Sequence, residues 1–134
     1  LPRAIRDVYK RQTLRHYLEA CIAPNATIAW ILSFSHGKDV ARMLEVLLAP
    51  GYRHRVVLVP FTTPVEGMPW VRPTALDAVA HAAAPLADVR VARTLDEALA
   101  MSASPAPNAA VLAGSLYLVS DFYRSVWAAP SPTG

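Results

Sequence analysis

The sequence has one cysteine among its 134 residues, and it has no long apolar run. Cys21 therefore has no partner for an intramolecular disulfide or for a thiolate metal cage, and we expect it to be a buried helix residue. No apolar segment approaches the roughly 20 residues that span a bilayer, and the N-terminus lacks a secretory signal pattern. These absences predict a protein without a membrane segment, in the cytoplasm or, as the alternative, in the mitochondrion.

The glycine motifs that bind phosphates are also missing. The sequence contains neither Gly-x-Gly-x-x-Gly nor Gly-x-x-x-x-Gly-Lys-Ser/Thr. The first absence argues against a dinucleotide site, and the second means that this chain alone does not cradle a triphosphate with Mg²⁺. We predict no metal site either, because His36 lies in a predicted loop without the set of ligands that zinc requires.

The net charge of +3 is confined to the first twelve residues. The other 122 residues carry nine basic and nine acidic side chains, so the body of the chain is neutral. Nucleic-acid binding through phosphates requires clustered Lys and Arg on one face, and no such cluster remains. We therefore expect no nucleic-acid partner.

The two ends of the chain differ from its body. The latter half of segment 1–12 resembles peptides translated from sequencing-adapter DNA, so we interpret this segment as non-native or as a truncated lead. An ordinary basic helix is the alternative, because Ile5, Val8 and Tyr9 have helical spacing. Residues 130–134 are expected to be a frayed tail, which leaves 13–129 as one domain.

Between these ends the hydrophobic pattern alternates between helix and strand. It predicts helices over 13–21, 38–49, 74–84, 95–102 and 116–127, and strands over 27–34, 55–61, 88–92 and 109–113. Near-continuous apolar strands separated by helices are typical of an α/β, three-layer Rossmann-like domain, in which a mostly parallel sheet has helices on both faces. Ligands of such sheets bind at the carboxyl ends of the strands.

Two strand-to-helix junctions have a composition suited to an anionic ligand. The first, Ser33-Phe34-Ser35-His36-Gly37-Lys38-Asp39, follows an apolar strand, and the second begins at Gly114-Ser115. A helix start offers free backbone N–H groups and about half a positive charge, so phosphate or carboxylate is the expected guest at both junctions.

The same junctions carry a family resemblance. Ser35-His36-Gly37-Lys38-Asp39 after the first strand and Gly-Ser-Leu-Tyr-Leu-Val at the last helix resemble the carboxy-terminal domain of the folylpolyglutamate synthase and dihydrofolate synthase family, within the Mur ligases. The resemblance covers roughly 13–127. The stretch 64–73 looks most like fungal dihydrofolate synthases.

The resemblance implies an ATP-dependent ligase that joins L-glutamate to dihydropteroate or folate through an acyl phosphate. Lys38, Ser115 and Gly114 match family positions that bind glutamate. Ser35, His36, Gly37, Asp39 and Tyr117 are expected to line the cleft, and Asp39 to cap its helix or orient Lys38. No catalytic residue is expected in this fragment.

The departures from the family pattern concern the nucleotide. The family's Asp-Gly-Ala-His-Asn motif belongs where segment 1–12 stands, and the phosphate loop is absent. ATP and Mg²⁺ are therefore expected on a missing N-terminal and central ATPase part, and the fragment alone is expected to be inactive. The alternatives are a stand-alone domain that binds another small anion, or a structural or interaction domain.

Each candidate residue also has a purely structural interpretation. Ser115 can be a simple N-cap, and Lys38 a solvated lysine of a first helical turn, although a cation there opposes the helix dipole. His54 is expected at the surface. The loop 60–73 is long enough to be a functional flap, but we expect Met68 and Trp70 to cover the core.

Overall fold

The structure is a computed structural model. It describes residues 13–36, 39–48 and 50–127, and within these ranges the side chains at 116, 117 and 125–127 are not described. Segments 1–12 and 130–134 lie outside the described residues, so the domain limits stay predictions.

Helices and strands alternate along the described part of the chain. The elements are α1 (residues 13–21), β1 (Thr27–Ser33), α2 (Val40–Leu47), β2 (Arg53–Leu58), α3 (Leu76–Ala83), β3 (Asp88–Val91), α4 (Leu95–Ala103), β4 (Ala109–Gly114) and α5 (Leu116–Trp127). The four strands form one sheet in the order β3-β2-β1-β4, and all neighbouring strands are parallel. The predicted α/β architecture is confirmed.

The strands have nearly uninterrupted runs of apolar residues, because helices cover both faces of the sheet. Successive side chains of a strand point to opposite faces. Trp30 and Leu32 of β1 enter a core shared with α1, α2 and α3, whereas Ile31 enters a second core shared with α4 and α5. Helix α2 buries Met43, Leu44 and Leu47. Strand β1 is thus buried on both sides, as the central strand of a three-layer domain has to be.

A polar pair lies inside the first core. The Trp30 indole Nε1 donates to His54 Nδ1 at 3.0 Å, and both residues are buried. The two residues lie on neighbouring strands, because Ile28 and Trp30 of β1 are in register with His54 and Val56 of β2. The bond satisfies the indole N–H, which would otherwise be buried without a partner.

A buried arginine joins α1 to the end of α2. Arg15 donates through Nη1 to the Leu47 carbonyl at 3.3 Å and through Nη2 to the Pro50 carbonyl at 2.8 Å. Its guanidinium also lies over the Tyr52 ring at 4.7 Å. A cation at a helix C-terminus is electrostatically favourable, and the carbonyls there have no partner within the helix.

Three structural expectations, about Cys21, about His54 and about Met68 with Trp70, were wrong. Cys21 is exposed, because α1 faces the core through the stripe of Leu14, Leu18 and Ile22 and the cysteine lies beside it. His54 is buried, because it accepts the Trp30 bond. Its strand therefore begins at Arg53, two residues earlier than the polar sequence suggested.

The third error concerns the loop between β2 and α3. Met68 and Trp70 do not cover the core, since 36% and 72% of their surfaces are exposed. The partly buried side chains Val65 and Val71 pack against the second core instead.

No helix within the described ranges is long and apolar enough to cross a membrane.

The buried Trp30–His54 pair predicts that replacing Trp30 by phenylalanine lowers the free energy of unfolding more than the same replacement at Trp70. Trp30→Phe removes the indole donor and leaves His54 Nδ1 buried without it, so we expect a loss of about 2 kcal/mol in the free energy of unfolding. Trp70→Phe, on an exposed loop, should change that free energy by less than about 0.5 kcal/mol. Urea denaturation followed by far-UV circular dichroism measures both, and equal losses would contradict the assigned role of the pair.

Candidate functional site

The sheet order places the two candidate junctions next to each other. The chain adds β2 and then β3 on one side of β1, and it returns to place β4 on the other side. Helix α2, which follows β1, contributes to the first core, whereas α5, which follows β4, contributes to the second. The helices that follow the two neighbouring strands therefore leave on opposite faces. A crevice opens at such a switch point, beyond the carboxyl ends of the strands.

The last residues of β1 and β4 are direct partners in the sheet. Ser33, which opens the first junction, is in register with Gly114, which opens the second. The two motifs lie about 80 residues apart in the sequence and meet at this pair. The prediction of two anion-suited junctions thus becomes, in the structure, one candidate site at the switch point.

Gly114 is required at this contact for two reasons. Its φ is +100°, a conformation that residues with a Cβ rarely adopt. A Cβ built at this position would also collide with the Ser33 carbonyl oxygen and lie 3.1 Å from the Ser33 carbonyl carbon. The glycine lets the backbone of β4 approach β1 closely and turn into α5.

Ser33 is the residue of this site that the sequence analysis did not single out. It is 1% exposed, and its Oγ has no hydrogen-bond partner among the described residues. Unpaired buried hydroxyls are uncommon, because burial without a bond costs free energy. Ser33 lies on the same side of β1 as Ile31, the face that α5 covers.

Ser115 occupies the start of α5. Its backbone carbonyl accepts from the N–H groups of Leu118 and Val119 at 3.1 and 3.3 Å, which closes the first helical turn. The residue is 5% exposed. Tyr117 belongs to α5, and its side chain lies outside the described part.

On the other side of the crevice, Asp39 caps α2. Its Oδ1 accepts from the Arg42 N–H at 3.3 Å, and its carbonyl accepts from the Met43 N–H at 3.1 Å. The predicted capping role is confirmed. Gly37 and Lys38 lie outside the described residues, so their roles stay predictions.

Ser35 and His36 are held by the loop that follows β2. The Thr74 hydroxyl donates to the Ser35 carbonyl at 3.0 Å, and the His36 N–H donates to the Arg72 carbonyl at 2.7 Å. Ser35 is buried and His36 is exposed, so His36 is the one of the pair open to solvent. The structure gives neither residue a demonstrated ligand role.

The same loop is fixed at its other end to α5. The Thr62 N–H donates to Asp121 Oδ2 at 2.6 Å. We call residues 62–74 the strap, because they run from α5 on one face of the sheet to the Phe34–His36 segment and then into α3 on the other face. The strap therefore crosses the carboxyl edge of the sheet beside the candidate site.

A neighbouring groove of about 480 Å³ lies at the carboxyl ends of β2 and β3. Its two cations are already compensated: Arg93 lies 3.8 Å from Glu97, and Arg124 lies 3.7 Å from Asp121. Each cation of this groove thus has an acidic neighbour within 4 Å. No group of three or more His, Cys, Asp or Glu suited to a metal occurs among the described residues.

Comparison with known proteins assigns the family. Residues 10–125 match the family model described as the C-terminal domain of dihydrofolate synthetase. The chain belongs to this family, and the resemblance seen in its two junction motifs is confirmed. A curated relative, the "Probable dihydrofolate synthetase" of Schizosaccharomyces pombe, is 28% identical over 104 residues, which is 75% of this chain and 24% of that protein.

Solved structures share the fold. FolC of Escherichia coli, in a complex with ADP, superposes with a TM-score of 0.70 at 15% identity, over 90% of this chain and 27% of that one. Folylpolyglutamate synthase of Mycobacterium tuberculosis, also with ADP, gives a TM-score of 0.64 at 19% identity, over 91% of this chain and 28% of that one. The chain thus spans about a quarter of the length of the relatives it matches.

The contact between the junctions predicts that two glycines with positive φ differ in their tolerance of alanine. Gly67 has φ +79° and nothing within 4 Å of a built Cβ, so Gly67→Ala should cost about 1 kcal/mol of stability through backbone strain alone. Gly114→Ala adds the collision with Ser33, and we expect a loss at least twice as large, roughly 2–4 kcal/mol. Thermal and urea unfolding of the two variants test this, and similar losses would show that the close approach is not required.

Proposed function

We propose that this chain is the glutamate-presenting domain of an ATP-dependent ligase that joins L-glutamate to dihydropteroate or folate. The observation that carries the proposal is the register pair Ser33–Gly114, which makes the strands that lead into the two family junctions direct neighbours. Family membership supports the reaction class, and the partial coverage of the relatives supports a further part of the enzyme that supplies the rest of the site.

The crevice has the chemistry that a dicarboxylate needs. The start of α5 presents backbone N–H groups and the positive end of a helix dipole, with the Ser115 hydroxyl beside them. The buried Ser33 hydroxyl, at the end of β1, has no partner among the described residues, and we assign it to the same ligand as a second donor. We assign Lys38 to the other carboxylate, on its match to the family, because a compact ammonium suits that partner.

The reaction proceeds through an acyl phosphate of the acceptor's carboxyl group. The amino nitrogen of glutamate attacks the acyl carbon, the C–N bond forms, the C–O bond to phosphate breaks, and the ammonium nitrogen gives up its protons. This chain's residues bind and orient glutamate, which raises the effective concentration of the amine at the acyl carbon. His36 is an exposed residue next to this crevice and a candidate to receive a proton.

ATP and Mg²⁺ are assigned to the remainder of the enzyme. The solved relatives with ADP support nucleotide binding in the family, and this sequence lacks the phosphate-loop motif. We expect the 134-residue chain by itself to give no turnover with ATP, glutamate and dihydropteroate. A coupled assay for ADP release measures this, and sustained release by the purified chain would contradict the division of the site.

The decisive experiment is a chimera that joins residues 13–134 to the remaining part of the S. pombe relative. The purified chimera is assayed for glutamate-dependent ADP release, and it is introduced into a strain that lacks dihydrofolate synthase. Ser115→Ala, Lys38→Ala and Ser33→Ala should each raise the KM for glutamate about tenfold or more, since each removes a hydrogen bond to a charged group.

Two control variants separate ligand binding from folding. Ser102→Ala removes another buried serine hydroxyl, which donates to the Leu99 carbonyl at 3.0 Å, at the opposite end of α4 from the carboxyl edge. Arg93→Ala removes an exposed cation from the neighbouring groove. Both should leave the KM for glutamate within about twofold. A folded chimera without glutamate-dependent activity would favour a domain that binds another anion, and an active chimera indifferent to all three site substitutions would reject the site.

A further inference from the structure

The tip of the strap, residues 65–71, is held in a fixed shape by its own backbone. The Met68 N–H donates to the Val65 carbonyl, and the Val71 N–H donates to the Met68 carbonyl, each at 3.0 Å. The Arg72 guanidinium donates to the Pro69 and Val71 carbonyls. Together with the anchors to Asp121 and to Phe34–His36, these bonds give the tip a defined position beside the candidate site.

This fixed tip turns large apolar side chains toward solvent. Val65 and Val71 pack inward on the second core, whereas Met68 and Trp70 are 36% and 72% exposed. An exposed tryptophan on an ordered turn forgoes the hydrophobic stabilisation that its burial would give. Tryptophan, methionine and arginine are among the residue types enriched in protein interfaces, and tryptophan is among those enriched at binding hot spots.

The surroundings of the tip favour a protein surface as its occupant. The exposed residues Glu66 and Arg72 flank the apolar pair, which gives an apolar centre with a charged rim. The tip lies at the carboxyl edge of the sheet, the edge from which any second half of the site has to approach. About three quarters of the length of these relatives lies outside the part that this chain matches.

We propose that Met68 and Trp70 are the docking contact through which this domain engages the nucleotide-binding remainder of the ligase. This inference rests on the proposed function. The strap places the docking contact and the glutamate crevice on the same edge, so engagement through Trp70 brings the bound amine toward the acceptor. Trp70 and Met68 are positioning residues in this scheme, and they contact neither substrate.

The test combines solvent protection with kinetics in the chimera described above. Hydroxyl-radical footprinting with mass spectrometry compares oxidation of Met68 and Trp70 in the 134-residue chain and in the chimera with ADP bound. We expect at least threefold protection of both residues in the chimera, and no change at Tyr17, which is 65% exposed on α1. Trp70→Ala should lower kcat/KM for glutamate about tenfold and Met68→Ala less, because a central hot-spot contact is lost.

Matched controls remove exposed apolar side chains far from the strap. Tyr17→Ala and Leu86→Ala, at 65% and 37% exposure, match Trp70 and Met68 and should leave kcat/KM within about twofold. An active chimera in which residues 68 and 70 stay unprotected overturns the proposal while the proposed function stands. The proposal is also overturned if Met68 and Trp70 become protected only when the folate substrate is added, or if they are already protected in the isolated chain through self-association. A chimera without any ligase activity refutes the proposed function, and the docking proposal falls with it.

Discussion

The candidate site depends on one close contact, between the last residue of β1 and the last residue of β4. Gly114 lies against the Ser33 carbonyl in a backbone conformation that favours glycine. This contact is the last pair between β1 and β4 at the switch point, and α5 begins shortly after it. It also brings the end of β1, with the Ser33 hydroxyl, next to the start of α5, although the two junctions are far apart in the sequence.

The architecture could be predicted because the strands are apolar on both faces. Ile28, Trp30 and Leu32 pack against one core and Ile31 against the other, so the strand sequence has no polar interruption and indicates a parallel, covered strand. The start of α4 shows a local signal of the same kind: Thr94 accepts from the Glu97 N–H at 3.1 Å, the bond that a threonine followed three residues later by a glutamate forms in a capping box. The start of β2 was missed, because Arg53 and His54 look like loop residues until the Trp30 partner across the sheet is known.

Only the local features of the candidate site could be predicted, because they alone are encoded in consecutive residues. Glycine and serine before an apolar helix indicate a helix start wherever they occur. That the buried Ser33 hydroxyl has no partner within the described part of the chain depends on the strand register and on the neighbouring helix, and no local pattern contains that information. The outward direction of Trp70 likewise follows from strap hydrogen bonds to Asp121 and to residues 34–36, which are distant in sequence. A single exposed aromatic has no periodicity that distinguishes it from a core residue.

The most direct test of the single-crevice account is a titration of the ¹⁵N-labelled 134-residue chain with L-glutamate, followed by amide chemical shifts. The account predicts that shifts concentrate at residues 33–39 and 114–119 and that both groups follow one binding curve, because both junctions contact the same ligand. Shifts at one junction only, or shifts centred on the cavity of about 260 Å³ beside Arg55 and Arg90 at the amino edge of the sheet, would contradict it.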